Sequence, residues 1–521
     1  MKRSILFCAG LMLACALCCL TNAAKAEVTL PAIIGSHMVL QSGTALTIWG
    51  WANDGEEVTV SIGDIEGTVK ADANGEWLVK LPPMPANPEP IEMTVSGTNT
   101  IKLTDILVGE VWIGSGQSNM QWSVAASDNA TEEIAAANYP KMRLFLVPLV
   151  PSGKPAKNVN AAWTVCTPDT VKQFSAVCYY FGRELHKSLN IPVGMIASSW
   201  GGTAIQPWIP PAGFDGVPEL EGERKQIDSL RTGYQTALKN KLPELKAWLE
   251  ASDKAVESGQ SIAEPPAMPG NPFNSNGAIT GLYNGMIHPL APFAIRGALW
   301  YQGEANVGQG MHYHDLMKGL ILGWRTVWSQ GDFPFLFVQL APFDYGPNRK
   351  PTDLPELWEA QTATLDVPNT GIAVTTDISN IHDIHPRNKQ EVGRRLALWA
   401  LAKSYGKSDV VFSGPIYESM AVEEKRIRVK FQYAEGGLMA RDPGAPRLNW
   451  FSIAGADKKF VPATATIDGE SVVVESPEVS APVAVRFGWN QIAEPNLANK
   501  AGLPAAPFRT DHWSDATAAS Q

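Results

Sequence analysis

Beyond its first 26 residues the chain is almost without cysteine. Cys8, Cys15, Cys18 and Cys19 lie in the leading segment, and only Cys166 and Cys178 follow. Two cysteines cannot build a disulfide scaffold, although this pair could bond in an oxidising compartment or stay as two buried thiols. No stretch after residue 26 is apolar for long enough to span a bilayer. Low-complexity segments and internal repeats are absent too. Basic residues are in the minority: without Lys2, Arg3 and Lys25 there are 39 against 52 acidic residues, a net charge of −13. Such a surface argues against nucleic acid or an anionic membrane as a partner, while leaving room for one anionic sugar in a local pocket.

The leading segment has a character of its own. Lys2 and Arg3 precede the apolar run Ile5–Leu20, and Ala24-Lys-Ala26 forms a small-x-small site before Glu27. This is the pattern of a secretory signal peptide, so residues 1–26 are expected to be removed and the protein exported to the periplasm or the exterior. Lipid attachment at Cys15, Cys18 or Cys19 fits its sequence surroundings less well.

At 521 residues the chain is too long for one core. Residues 27–105 alternate in short runs, such as Glu57–Ile62 and Ile91–Val95, with turn signals at Asn53-Asp-Gly55 and Asn74-Gly75. That spacing predicts a small β-sandwich. Trp49, Trp51 and Trp77 would be its core or a sugar-binding face. From 106 to 408 strands alternate with helices, the mark of a parallel α/β sheet. Expected strands are Val108–Ile113, Val193–Ser198, Ile295–Tyr301, Phe335–Leu340 and Gly371–Thr376. Expected helices are Ala176–Leu189, His312–Trp328, Leu354–Leu365 and Lys389–Tyr405. Residues 203–280 read as an insertion, with a charged helical stretch and a Pro/Gly/Asn-rich loop, that either covers the substrate or is a plain surface excursion. Residues 409–521 read as a second β-domain.

The stretch Val108-Gly-Glu-Val-Trp-Ile-Gly-Ser-Gly-Gln-Ser-Asn-Met120 is a buried strand running into a glycine-rich turn that presents Ser118. By itself Ser118 could as well cap the next helix. Three other strands, however, also end in polar or small residues: Ser199-Trp-Gly-Gly-Thr203, Gln302-Gly-Glu-Ala-Asn306, and Asp377 followed by His382-Asp-Ile-His-Pro386. Open α/β sheets build their ligand crevice at the carboxyl ends of strands. A serine there becomes a nucleophile if a histidine takes its proton and a carboxylate fixes the imidazole. Ser118, His385 and Asp383 supply that set. Glycine N–H groups at Gly201 or Gly202, the Ser118 N–H and the Asn306 amide would hold the oxyanion. Gln117, Gln302 and Glu304 are the expected substrate contacts. The histidines His312 and His314 point apart on a helix and cannot chelate together. No metal and no cofactor is implied.

Gly116-Gln-Ser-Asn-Met120, Trp300-Tyr-Gln-Gly-Glu-Ala-Asn306 and Asp383-Ile-His-Pro-Arg-Asn-Lys389 together resemble the sialate O-acetylesterase family of the SGNH hydrolases, across the whole mature chain. The resemblance implies a flavodoxin-like three-layer α/β/α SGNH hydrolase domain with accessory β-domains at both ends. It also implies removal of O-acetyl groups from sialic acids, with Ser118 as nucleophile, His385 as base, and Gly201 or Gly202 with Asn306 as oxyanion donors. One departure concerns the acid, which lies two residues before the histidine where many SGNH enzymes have it three before. Asp377 could serve instead, or a backbone carbonyl could leave a dyad. Met120 breaks the G-x-S-x-G of α/β-hydrolases, so a lipase-type elbow is not expected. The same chemistry would serve another acetylated glycan such as xylan. A non-catalytic glycan-binding protein is the alternative of a different class. For a sialic acid, an arginine should face the sugar carboxylate, with Arg296, Arg349 and Arg387 as candidates.

Overall fold

The computed structural model describes residues 27–441 and 447–513. The expected signal segment, residues 1–26, lies outside the described residues. Among those described, no helix is long and apolar enough to cross a membrane.

The strand Thr100–Gly116 is the spine of the molecule. Its first half pairs antiparallel with Asn87–Ser96, and its second half runs parallel to Val193–Ser199 and Gly297–Tyr301. The expected boundary at 105/106 therefore falls inside one continuous strand. The strand is kinked at that point, where Asp105 has φ of 56° and the apolar alternation gives way to a wholly buried run. Trp77 and Trp300 accordingly belong to one contiguous core, whereas the C-terminal β-region around Ile427, Val472 and Phe487 has its own.

The sheet order is Thr370–Ala373, Phe335–Val338, Gly297–Tyr301, Thr100–Gly116, Val193–Ser199, all parallel, followed by Tyr139–Leu146 and an antiparallel Trp163–Cys166 at the edge. Without the two edge strands, and numbered along the chain, this is the flavodoxin-like order 2-1-3-4-5. Strands Phe335–Val338, Gly297–Tyr301 and Val193–Ser199 are buried along their whole length, as a sheet covered on both faces requires. Helices Ala176–Leu189 and Lys389–Trp399 pack together as one covering layer, and His312–Trp328 with Asp353–Ala363 forms another. Each lays an apolar stripe inward, such as Val177 and Leu185, Leu316 and Trp324, Leu357 and Trp358, and Val392 and Leu396. The switch point of such a sheet lies where the chain leaves strand 1 for opposite sides, at Gly116 between Ser199 and Tyr301.

In the leading β-region Trp77 is core at 3% exposure, while Trp49 and Trp51 are half-buried. Cys166 and Cys178 are both buried and free, and burial raises each thiol to about 12. The insertion carries the 37-residue helix Glu221–Glu257, in which Ile227 alone is buried. Its contact with the α/β domain includes Glu223 against His312 Nε2 at 2.7 Å.

Candidate active site

Ser118 is the first residue of a single helical turn, Ser118–Gln121, that directly follows the central strand. The turn needs Gly116, which has φ of 138° and passes so close to the next strand that a Cβ would lie 2.1 Å from Tyr301 O. Both flanking strands pin it: Gln117 N–H donates to Tyr301 O at 3.0 Å, and Trp200 N–H donates to Gly116 O at 3.0 Å. Ser118 does not cap the helix. Gln117 occupies that position, and its side chain makes no capping bond.

His385 reaches the serine from the loop before helix Lys389–Trp399. Its Nε2 lies 2.9 Å from Ser118 Oγ. With the imidazole neutral and its proton assigned to Nδ1, Nε2 accepts from the hydroxyl. The ring stacks on Trp122, centroids 4.8 Å apart and planes 18° from parallel. Burial holds its pKa below the usual 6.5. The nearby Lys389 adds to that lowering and Asp383 opposes it.

The carboxylate is not placed as a triad acid normally is. Asp383 Oδ1 lies 3.9 Å from His385 Nδ1, too far for a hydrogen bond, and accepts the His385 backbone N–H at 3.0 Å instead. The two-residue spacing makes this local loop bond easy to form. Asp377, the alternative, has a fully buried side chain held by Arg395 and Arg441, each at 2.6 Å.

For the oxyanion, the Ser118 N–H has no hydrogen-bond partner among the described residues, as befits a first helical position. Gly201 lies against the nucleophile: a Cβ there would sit 3.3 Å from Ser118 Cβ. Its N–H donates to Gln121 Oε1 at 2.8 Å. Gly202 follows with φ of 74° and open space around it. The expected Asn306 donor is placed differently. Asn306 is 1% exposed, and its amide nitrogen donates to Gln206 and Gln309.

The expected substrate contacts Gln117 and Gln302 are also buried. Gln302 Nε2 donates to Gln117 Oε1 at 3.1 Å and to Asn306 Oδ1 at 2.7 Å, and its Oε1 accepts from Tyr313 at 2.8 Å. These polar residues brace the strand ends from behind. Glu304 joins a second buried group: its Oε1 accepts from Asn119 Nδ2 at 2.5 Å. Asn119 also donates to Ile384 O at 3.0 Å and accepts from Lys389 Nζ. Burial raises the Glu304 pKa and lowers that of Lys389 to about 7. Asn119 and Lys389 stand inside the sequence motifs, but nothing in the sequence assigned them a part.

A cavity of about 220 Å³ opens beside His385, with Asp128, Ser379, Asn380 and Arg387 among its lining. The Arg387 side chain is exposed and has no ionic or hydrogen-bond partner among the described residues. Of the other candidate arginines, Arg296 is tied to Glu110 at 2.5 Å, and Arg349 lies over Gly308. A second cavity of about 310 Å³ is lined by Gln121, Leu146, Leu149 and Ser199.

A serine hydroxyl on a histidine whose neutral form is favoured, next to the unspent Ser118 N–H and an open cavity, is equipped for acyl transfer. A family model described as "Carbohydrate esterase, sialic acid-specific acetylesterase" matches residues 262–402. The chain is 32% identical over 454 residues to the sialate O-acetylesterase of Rattus norvegicus, covering 78% of this chain and 79% of that protein. It is 32% identical over 434 residues to the Homo sapiens sialate O-acetylesterase, covering 74% and 73%. Among solved structures, a carbohydrate acetylesterase from Xanthomonas citri superposes with a TM-score of 0.78 at 36% identity, covering 93% of this chain and all of that one.

Proposed function

The chain belongs to the sialate O-acetylesterase family, and on that premise we propose that it removes O-acetyl groups from sialic acids through an acetyl-enzyme at Ser118. It is a carboxylic ester hydrolase. The observation that carries the mechanism is the 2.9 Å contact between Ser118 Oγ and His385 Nε2 at the switch point of the sheet.

Ser118 Oγ attacks the acetyl carbonyl carbon while its proton passes to His385 Nε2. The carbonyl oxygen becomes an oxyanion facing the N–H groups of Ser118 and of Gly201 or Gly202. Collapse breaks the bond to the sugar oxygen, which leaves as a hydroxyl by taking the proton from His385. Water then attacks the acetyl-serine, His385 again removing the proton, and acetate departs with Ser118 restored. A neutral histidine is required at the start, and burial favours that form.

Arg387 supports a sialic acid as the sugar. Its guanidinium is an unpaired fork at the mouth of the cavity beside His385, in a chain of net charge −10. It would meet the carboxylate that distinguishes a sialic acid from a neutral acetylated sugar. Arg387 is the one arginine or lysine in that lining, which also holds the carboxylates of Asp128 and Asp383. Export by the leading segment is part of the same reading, and amino-terminal sequencing of the mature protein tests it.

The test of the function is acetate release from O-acetylated sialic acid and from acetylated xylan. The wild type should favour the first, and Ser118→Ala should lose about a thousandfold or more on it. Equal turnover of both would remove the sialic acid assignment, and a folded Ser118→Ala with full activity would remove the mechanism.

A further inference from the structure

Asn119 follows the nucleophile, is 2% exposed, and has both polar side-chain atoms engaged. Its Nδ2 donates to Glu304 Oε1 at 2.5 Å and to the Ile384 carbonyl at 3.0 Å, while its Oδ1 accepts from Lys389 Nζ. The partners come from three separate places: the loop after strand Gly297–Tyr301, the loop that carries His385, and the start of helix Lys389–Trp399. Ile384 is the residue immediately before the base. The bond to its carbonyl therefore couples the Ser118 turn to the His385 loop, across more than 260 residues of sequence.

An amide can point either way, and only one way makes this bond. The Ile384 carbonyl can only accept, so it takes the nitrogen, and Lys389 Nζ donates to the oxygen. Two acceptors, Glu304 Oε1 and Ile384 O, then take the nitrogen. Rotating the amide by half a turn would set its oxygen against two acceptors, in a buried site where unmade bonds are costly. Lys389 is fully buried, with its Nζ also 5.1 Å from the centre of the Tyr301 ring. Glu304 Oε2 is buried with no partner among the described residues. Burying a lysine and a glutamate here is expensive and needs a return.

We infer that Asn119, held in one orientation by Lys389 and Glu304, is the positioning residue that keeps His385 in register with Ser118. The inference rests on the esterase reading of the site. It explains how the base is held although no carboxylate bonds its ring. Asp383 fixes the His385 backbone, Trp122 supports the ring face, and Asn119 fixes the preceding carbonyl. Because Lys389 is close enough to act on His385 electrostatically, the same lysine also disfavours protonation of the base. The charged groups around that corner are Asp383 on the His385 loop, Glu304 opposite, and Asp128 and Arg387 at the cavity rim.

The test uses the full chain with p-nitrophenyl acetate, which needs no sugar recognition. In Asn119→Ala, kcat should fall about a hundredfold, the scale of a displacement of about 1 Å in a reacting pair, with KM within about threefold. Glu304→Gln, which keeps an acceptor for Asn119, should lose about tenfold less than Glu304→Ala. Lys389→Met should lower kcat and move the acid limb of kcat/KM to higher pH, because a positive neighbour of His385 is gone. A folded Asn119→Ala with kcat near wild type overturns the inference. If Asn119→Ala does not fold, Lys389→Met decides: an unchanged rate and an unmoved acid limb overturn it as well. A wild type that is itself inactive on the ester would count against the esterase reading, whereas active wild type with unaffected variants counts against the positioning role alone.

Discussion

Nε2 of His385 lies 2.9 Å from Oγ of Ser118, although 267 residues separate them in the chain. Their meeting follows from topology. Ser118 opens the helical turn after the first strand of the 2-1-3-4-5 sheet, and His385 lies on the loop that leaves the last strand and returns to the switch point.

The acid limb of the pH profile should lie low. Protonated His385 cannot accept the serine proton, so kcat/KM falls as pH drops through the histidine pKa. Burial and Lys389 hold that pKa under its ordinary 6.5. The measured limb in kcat/KM should therefore lie below 6.5, and a limb above that value would contradict this electrostatic picture.

Asp383 should matter less than a triad acid does. Its carboxylate is 3.9 Å from His385 Nδ1 and spends its bond on the backbone. Asp383→Asn is expected to cost on the order of tenfold in kcat, against about ten-thousandfold where an acid fixes the imidazole tautomer. Steady-state kinetics of the folded variant distinguishes the two.

Gln121 competes for an oxyanion donor. Its Oε1 accepts the Gly201 N–H, and Gly201 abuts Ser118. Substrate must displace that amide to use the donor. Gln121→Ala should raise kcat on p-nitrophenyl acetate by roughly threefold, about the worth of one exposed hydrogen bond. A large loss would mean that Gln121 itself serves the transition state.

Arg387 should set selectivity. In Arg387→Ala, kcat/KM for O-acetylated sialic acid should fall by about tenfold or more, as loss of a charge-assisted contact predicts. The loss on p-nitrophenyl acetate, which has no carboxylate, should be at least tenfold smaller. Equal losses on both would place Arg387 in support of the His385 loop rather than on the sugar.

Much of the architecture was legible in the sequence because burial on both faces leaves an unbroken apolar strand, and the helices between carry a clear apolar stripe. Helices Ala176–Leu189 and His312–Trp328 have the limits expected from that pattern. Ser118 and His385 could be paired because strand ends in such a sheet converge. The roles of Gln117, Gln302 and Asn306 could not be read the same way. A glutamine or asparagine at a strand end suits either a ligand contact or a buried brace, and only the third dimension tells which way it faces. The choice between Asp383 and Asp377 was equally closed, since it depends on Arg395 and Arg441 reaching Asp377 from elsewhere in the fold. Asn119 and Lys389 were visible as letters of motifs. Their contact across 270 residues was not.

The most direct measurement is to find the acetyl group. Wild-type protein mixed with p-nitrophenyl acetate, acid-quenched within the first turnovers and mapped by peptide mass spectrometry, should carry acetyl on the peptide containing Ser118, with fragment ions placing it on that residue. Acetyl on Ser115 or Ser199 instead, or none during a clear burst of p-nitrophenol, would contradict a mechanism that passes through Ser118.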